Sequence, residues 1–262
     1  MSGVIKLNIG QFLLIYLLLI IVVAIMRRSK IDQTKLLVVA SLRMTVQLIL
    51  AGLVLSYIFQ NPHPAFTLAY LAAMVAFSMY RTLSKNPWLN RRFKLAVGLS
   101  ITLSGLFVIG YFVILVVGTD FFDPQYTITI GGMVIGNSMT GVTLGLKTFH
   151  DRIQDQRPRI EALLDVGVEP RRILTPLVNS SLETALLPTL NNMLGMGIIS
   201  LPGMMTGQIL AGTLPMTAIF YQIAIMIAIC TAVCLTTFCA LHFGYQTLYN
   251  KRNQISFENS TK

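Results

Sequence analysis

Charged residues are scarce in this chain. Asp, Glu, Lys and Arg together make up only 11% of its 262 residues, whereas soluble domains carry about 25%. Apolar residues make up 54%, and apolar runs of about 20 residues recur, which is the length that a helix needs to cross the hydrocarbon of a bilayer. This composition argues against a soluble enzyme and predicts an all-α integral membrane protein.

The chain also lacks the motifs of common nucleotide and zinc sites. It contains no G-x-x-x-x-G-K-[ST] loop, which would cradle ATP phosphates, and no H-E-x-x-H motif. Its three cysteines, Cys230, Cys234 and Cys239, all fall in the last apolar run without acidic neighbours, which favours small apolar filler over metal ligation. We therefore expect no catalytic residue and no cofactor bound by this chain.

Lys and Arg are mostly confined to alternate loops. The formal net charge of +10 is compatible with nucleic-acid binding, but basic loops beside membrane spans explain it better, and we expect no nucleic-acid partner. Basic loops follow the first, third, fifth and seventh apolar runs, so the N-terminus is predicted outside and the C-terminus in the cytoplasm. The seven predicted spans lie at about 11–26, 36–58, 64–80, 95–117, 126–147, 173–198 and 217–243.

The remaining segments fit one polytopic domain. We predict a single transmembrane domain over residues 1–250, with a flexible cytoplasmic tail at 251–262. The segment 201–216 is apolar but short and rich in glycine, so it is predicted to be a re-entrant or interfacial element at the outer leaflet. A true span there would move the C-terminus outside.

The charged loop at about 148–172 has helix punctuation of its own. Pro158 suits the first turn of a helix, Ile160, Leu163 and Leu164 give one apolar face, and Gly167 is a natural C-terminal stop. The loop is rich in acidic residues, which match an anionic leaflet poorly. A docking surface for a cytoplasmic partner is therefore favoured over a surface helix lying on lipid.

The sixth predicted span is unusually polar. Glu183 is the only acidic residue inside a span, and Arg43 in the second span is the only base at a comparable predicted depth. A structural Arg43–Glu183 pair is the favoured interpretation, and contact of Glu183 with a cation or substrate is the alternative. Asn191 and Asn192 in the same span, with Gln208 beyond it, either line a pathway or join helices.

Two further patterns concern methionine and glycine. Met193, Met204 and Met205 offer soft sulfur to a metal, although methionine is also ordinary filler in apolar helices. In the fifth span, glycines recur at four- and five-residue steps, which thins one face so that another helix can approach closely. Those glycines are Gly132, Gly136, Gly141 and Gly145.

Two stretches resemble known transporters. Glu161-Ala162, with Gly167 six residues after the Glu, resembles the front half of the E-A-A loop of ABC-transporter permeases, while the back half is not matched because Pro176 comes early. The stretches 187–193 and 201–212 resemble the FetB-like permeases, a family of bacterial iron-export subunits with plant relatives in aluminium tolerance.

The resemblance implies a permease subunit in the bacterial inner membrane that exports iron or a related metal. It implies a separate cytoplasmic ABC ATPase that binds ATP and Mg²⁺ and docks on a coupling helix. Pro158, Glu161, Ala162 and Gly167 would form that helix. It also implies membrane lipid around the chain and a homodimer of the permease.

Two other classes of membrane protein remain as alternatives. A stand-alone seven-helix receptor or pigment would share the predicted topology, but 217–243 lacks the lysine that a retinal pigment needs in its last span. A secondary carrier would work without an ATPase and would usually show an internal repeat, which this sequence does not display at length.

Overall fold

The computed structural model describes residues 8–249, so the predicted tail at 251–262 lies outside the described part of the chain. The described residues form nine α-helices and no β-strand, which confirms the all-α prediction. The helices are α1 (Ile9–Arg28), α2 (Thr34–Gln60), α3 (Pro64–Lys85), α4 (Arg91–Tyr111), α5 (Pro124–Asp155), α6 (Arg157–Asp165), α7 (Pro170–Gly195), α8 (Gly203–Leu210) and α9 (Pro215–Tyr245).

Proline sets the start of most helices after α2. It has no N–H to leave unbonded in the first turn, and its fixed φ suits the helix. Where proline is absent, α4 is capped by Asn90, whose side chain accepts a bond of 2.7 Å from the Phe93 N–H. Five helices carry proline at their first or second position, namely Pro64, Pro124, Pro158, Pro170 and Pro215.

Helices α3, α4, α5, α7 and α9 form one bundle, in which α9 packs against α4, α5 and α7. Two apolar clusters fill the bundle. One contains Phe93, Phe149 and Tyr245, and the other contains Phe112 and Ile225. The α1–α2 hairpin makes few contacts with this bundle, and most of its large apolar side chains are exposed. A bilayer is the environment in which such a surface is stable.

Four described helices are both long and apolar enough to cross a membrane, by length and composition: α2, α3, α4 with its π-helical extension Phe112–Val117, and α9. Helices α5 and α7 are also long, with 32 and 26 residues, but carry polar residues along their length. Helix α8 has only eight residues, or about 12 Å, and is too short to span. This length agrees with a re-entrant or interfacial element.

The bundle has two distinct ends. At one end, Asn90 donates to the Thr247 carbonyl at 3.0 Å, and the rings of Trp88 and His150 stack 4.7 Å apart. We call this end the basic end, because the segments 86–90 and 156–169 lie there and Lys and Arg residues flank them. At the opposite end, the Thr67 hydroxyl donates to the Phe122 carbonyl at 3.0 Å.

Candidate functional site

The predicted loop helix is present as α6, which joins α5 to α7 at the basic end. Its Ile160 is only 1% exposed and belongs to the same buried cluster as Ile153 of α5, Leu174 of α7 and Tyr245 of α9. Leu163 and Leu164 pack against this cluster. The apolar face predicted from the sequence therefore anchors α6 to α5, α7 and α9.

Gly167 ends α6 in the left-handed conformation, with φ of +87°, as the sequence predicted. Its N–H donates to the Leu164 carbonyl at 2.9 Å, and the Val168 N–H donates to the Leu163 carbonyl at 3.0 Å. These two bonds form a Schellman motif, in which the carbonyls left open at the helix end find donors. Val168 also packs on the buried cluster beside Leu163. The stop is therefore both hydrogen-bonded and packed.

The other side of α6 is exposed. We call Pro158, Glu161, Ala162, Asp165 and Val166 the docking face, since all five residues are exposed at the basic end. Val166 is 83% exposed and lies one turn after Ala162, so the two make a small apolar spot between acids. The Glu161 carboxylate accepts from the Arg157 Nε at 2.8 Å. A pair this exposed contributes only about 0.3–0.5 kcal/mol to stability.

Tyr249, four residues after the end of α9, packs against the buried cluster at this corner. Burial raises the pKa of its phenol above the ordinary value. Tyr245 and Glu169 raise the pKa further, and Arg171 opposes them. The phenol therefore stays protonated and neutral at physiological pH.

The structure does not bring Arg43 and Glu183 together. Both side chains are exposed, and no ion pair joins them within the described chain. The Arg43 guanidinium carbon lies 6.0 Å from the centre of the Phe77 ring on α3, at the outer limit of a cation–π contact. Sequence depth predicts the level of a residue in the membrane, but not the side of the helix on which it lies.

Glu183 lies level with a different base. An added Cβ at Gly145 would lie 3.3 Å from the Ala185 Cβ, so these residues face each other across antiparallel α5 and α7. Lys147 is two residues after Gly145, and Glu183 is two residues before Ala185, so the two charges occupy the same level. Both side chains are exposed, and no ion pair forms between them in the described chain.

A polar cavity of about 310 Å³ lies at the opposite end of the bundle, between α5, α8 and α9. The buried Oε1 of Gln208 has no hydrogen-bond partner among the described residues. Six other side chains that line the cavity offer oxygen atoms, and Met204 offers sulfur. The lining residues are Gln125, Tyr126, Thr129, Ile130, Met204, Gln208, Thr213, Thr217 and Tyr221.

The other predicted pathway and metal residues lie apart from this cavity. Asn191 and Asn192 are exposed near the end of α7, as is Met193. Met205 is buried, so of the three candidate methionines only Met204 lines the cavity. Within residues 8–249 no group of three or more His, Cys, Asp or Glu side chains is placed to hold a metal ion.

The glycines of α5 serve two different faces. An added Cβ at Gly141 would lie 2.6 Å from Val233, and one at Gly145 would lie 2.8 Å from Thr237, so both allow α9 to approach closely. An added Cβ at Gly136 would meet no heavy atom within 4 Å. The packing interpretation therefore holds for Gly141 and Gly145, whereas Gly136 lies on an open face.

That open face carries polar side chains that the sequence interpretation missed. Thr129, Asn137, Thr140 and Lys147 are all exposed along α5. Their spacing of eight, three and seven residues returns to one side of a helix, because two turns take about seven residues. This spacing is the signal in the sequence for a polar face, and the glycines of the same helix are the signal for close packing.

Comparison with known proteins gives a consistent family. A family model described as "Uncharacterised protein family (UPF0014)" matches residues 9–249. The "Probable iron export permease protein FetB" of Escherichia coli K12 is 30% identical over 255 residues, which cover 95% of each chain. The "Protein ALUMINUM SENSITIVE 3" of Arabidopsis thaliana is 32% identical over 213 residues, covering 81% of this chain and 77% of the plant protein.

A third relative is a bacterial membrane protein. The "UPF0014 membrane protein YjkA" of Bacillus subtilis strain 168 is 30% identical over 224 residues, covering 83% of this chain and 86% of that protein. No solved structure matches the chain. Together with the apolar helices of the fold, these relatives identify a multi-pass membrane protein.

Proposed function

Because this chain belongs to the UPF0014 family of membrane proteins, with a relative named as a probable iron export permease, we propose that it is the membrane-spanning subunit of an ABC transporter. A separate cytoplasmic ATPase would bind ATP and Mg²⁺ and drive it. The observation that carries this proposal is α6, a helix whose inner face is buried among the bundle helices and whose outer face is exposed.

The proposed topology has seven spans. Helices α1, α2, α3, α4, α5, α7 and α9 each have 20 or more residues, or about 30 Å at 1.5 Å per residue. The polar α5 and α7 would cross in contact with protein or water and not with lipid. The positive-inside rule then assigns the basic end to the cytoplasm, in a bacterial inner membrane.

In this proposal α6 is the coupling helix. It is the direct connection between α5 and α7, and its buried Ile160 shares a cluster with residues of both helices. A rigid-body push on the docking face would therefore displace α5 and α7, because close-packed interiors transmit displacement. Gly167 keeps this helix at a fixed length and exit angle.

The cargo would move along the polar side of α5 and α7. Glu183 is thirteen residues after the start of α7, about 20 Å along the axis, and its exposed side chain supplies a carboxylate at that depth. Asn191, Asn192 and Gln208 would offer amide oxygens toward the opposite end. We propose iron or a related metal cation, moved outward, as the cargo, and two copies of the permease enclosing the path.

Site-specific photo-crosslinking tests the docking assignment. A crosslinker replacing Val166 should capture a protein that contains a P-loop, because this position is exposed at the basic end. A crosslinker replacing Leu210 is the matched control, since that side chain is also exposed but lies at the opposite end. Capture from Leu210 but not from Val166, or from neither position in active membranes, would contradict the assignment.

A further inference from the structure

The outward face of α5 differs from the apolar faces that α2 and α9 expose. Helix α2 and the outer side of α9 expose mainly Leu, Ile, Val and Phe. Helix α5 instead exposes Thr129, Asn137 and Thr140, and Gly136 leaves its backbone uncovered beside them. The N-terminal end of this face reaches the polar cavity, because Gln125 and Thr129 both line that cavity.

The two threonine hydroxyls of this face, and one of the two amide hydrogens of Asn137, already donate to the helix backbone. The Thr129 hydroxyl donates to the Gln125 carbonyl at 2.6 Å, and the Thr140 hydroxyl donates to the Gly136 carbonyl at 3.1 Å. The Asn137 amide nitrogen donates to the Met133 carbonyl at 2.7 Å. Each threonine hydroxyl therefore uses its one donor on the helix backbone and keeps oxygen lone pairs, while Asn137 keeps its Oδ1 lone pairs and one N–H.

A face of this kind is selective for charge sign. Oxygen lone pairs attract cations and the hydrogen atoms of their hydration water, whereas anions require donors. The neighbouring helix α7 repeats the arrangement, since the Thr184 hydroxyl donates to the Ser180 carbonyl at 2.9 Å next to the exposed Glu183. Lipid tails offer nothing to either group, so lipid is a poor occupant.

From these observations we propose that Thr129, Asn137 and Thr140, with the open backbone at Gly136, form a cation-binding wall that carries a hydrated metal cation between the outer cavity and Glu183. This inference rests on the proposed function for the identity of the cargo. It assigns residues of α5, whereas the proposed function named side chains of α7 and α8. The exposed Lys147 lies at the basic end of the wall, at the same level as Glu183.

Thiol labelling tests whether the wall is wet and whether it favours cations. In a background with Cys230, Cys234 and Cys239 replaced by Ala, cysteines at 137 and 140 would be exposed to positively and negatively charged methanethiosulfonates of similar size. We expect the cationic reagent to react about tenfold faster than the anionic one, relative to the ratio for a free thiol.

The matched control is a cysteine at Thr231 of α9. Thr231 is exposed and donates to the Ile227 carbonyl at 2.8 Å, as Thr140 does to its own helix, but it lies in an apolar groove between α4 and α9. It should react with neither reagent. Protection at 137 and 140 equal to that at 231, or faster reaction with the anionic reagent, would overturn the proposal.

Filling the open face provides a second test. An added Cβ meets no heavy atom within 4 Å at either Gly136 or Gly52, and Gly52 lies on the exposed hairpin helix α2. Gly136→Leu should therefore fold and insert as Gly52→Leu does, yet reduce metal transport at least about tenfold because the side chain enters the path. Full transport by Gly136→Leu would overturn the proposal.

The two accounts fail separately. Thiol reactivity at 137 and 140 needs neither the ATPase nor a known cargo, so it tests the wall alone. If Val166 captures no ATPase while positions 137 and 140 still label faster with the cationic reagent, the coupling assignment is overturned and the cation-binding wall stands. If capture and ATP-driven transport are normal while positions 137 and 140 stay unlabelled, the wall is overturned and the coupling assignment stands.

Discussion

Replacing Gly167 should weaken ATPase docking in graded steps. At φ of +87° an L-residue is strained, and an added Cβ meets no heavy atom within 4 Å, so the cost comes from the backbone and not from a clash. Alanine in the left-handed region costs about 1–2 kcal/mol, asparagine costs less, and a β-branched valine costs at least as much as alanine.

These costs convert directly into affinity if docking requires the native end of α6. Each 1.4 kcal/mol is about tenfold, so Gly167→Val should weaken binding of the purified ATPase by about tenfold or more, Gly167→Ala by about five- to thirtyfold, and Gly167→Asn least. The assay is the dissociation constant of the ATPase for the permease in lipid nanodiscs.

Gly118 supplies the matched control. It has φ of +74° with no heavy atom within 4 Å of an added Cβ, and it lies at the opposite end of the bundle. Gly118→Val carries the same kind of backbone strain and should leave docking unchanged. Equal loss of affinity in Gly118→Val and Gly167→Val would mean general destabilisation, and unchanged affinity across the Gly167 series would refute the coupling role.

Three further predictions concern single contacts. Glu161→Ala removes one exposed ion pair and should lower the free energy of unfolding by no more than about 0.5 kcal/mol, while reducing ATPase-stimulated transport; unchanged transport would remove it from the docking face. Arg43→Gln and Glu183→Gln should be additive within about 0.5 kcal/mol in an unfolding assay, and a coupling of several kcal/mol would restore the pair. Gly244→Ala should destabilise the chain by about 1–3 kcal/mol, because the added Cβ would lie 1.9 Å from the Phe93 ring, and unchanged thermal unfolding would contradict that packing.

The helices of this fold follow closely from hydropathy and from the residues that start and stop helices. The span predicted at 36–58 is α2 (Thr34–Gln60), and the span predicted at 217–243 is α9 (Pro215–Tyr245). The largest extension is in α5, which continues to Asp155 although the predicted span ends at 147. Hydropathy reports where hydrocarbon ends, whereas a helix can continue through charged residues into water.

The candidate site was predictable where local chemistry decides it. Pro158 and Gly167 mark the ends of a short helix by backbone rules that act within a few residues, and α6 obeys them. The relation of Arg43 to Glu183 depends on how two distant helices rotate about their axes. The sequence contains depth but not that rotation. The pairing of Glu183 and Lys147 at one level follows from the contact between Gly145 and Ala185.

We propose that a separate ATPase drives metal through this chain by way of α6. The most direct measurement is ATP-dependent movement of Fe²⁺ across vesicles that contain the permease and its ATPase, with the native chain and Gly167→Val compared at equal protein content. We expect flux that requires ATP and falls about tenfold or more in the variant. Flux that proceeds without ATP, or that Gly167→Val leaves unchanged, would contradict it.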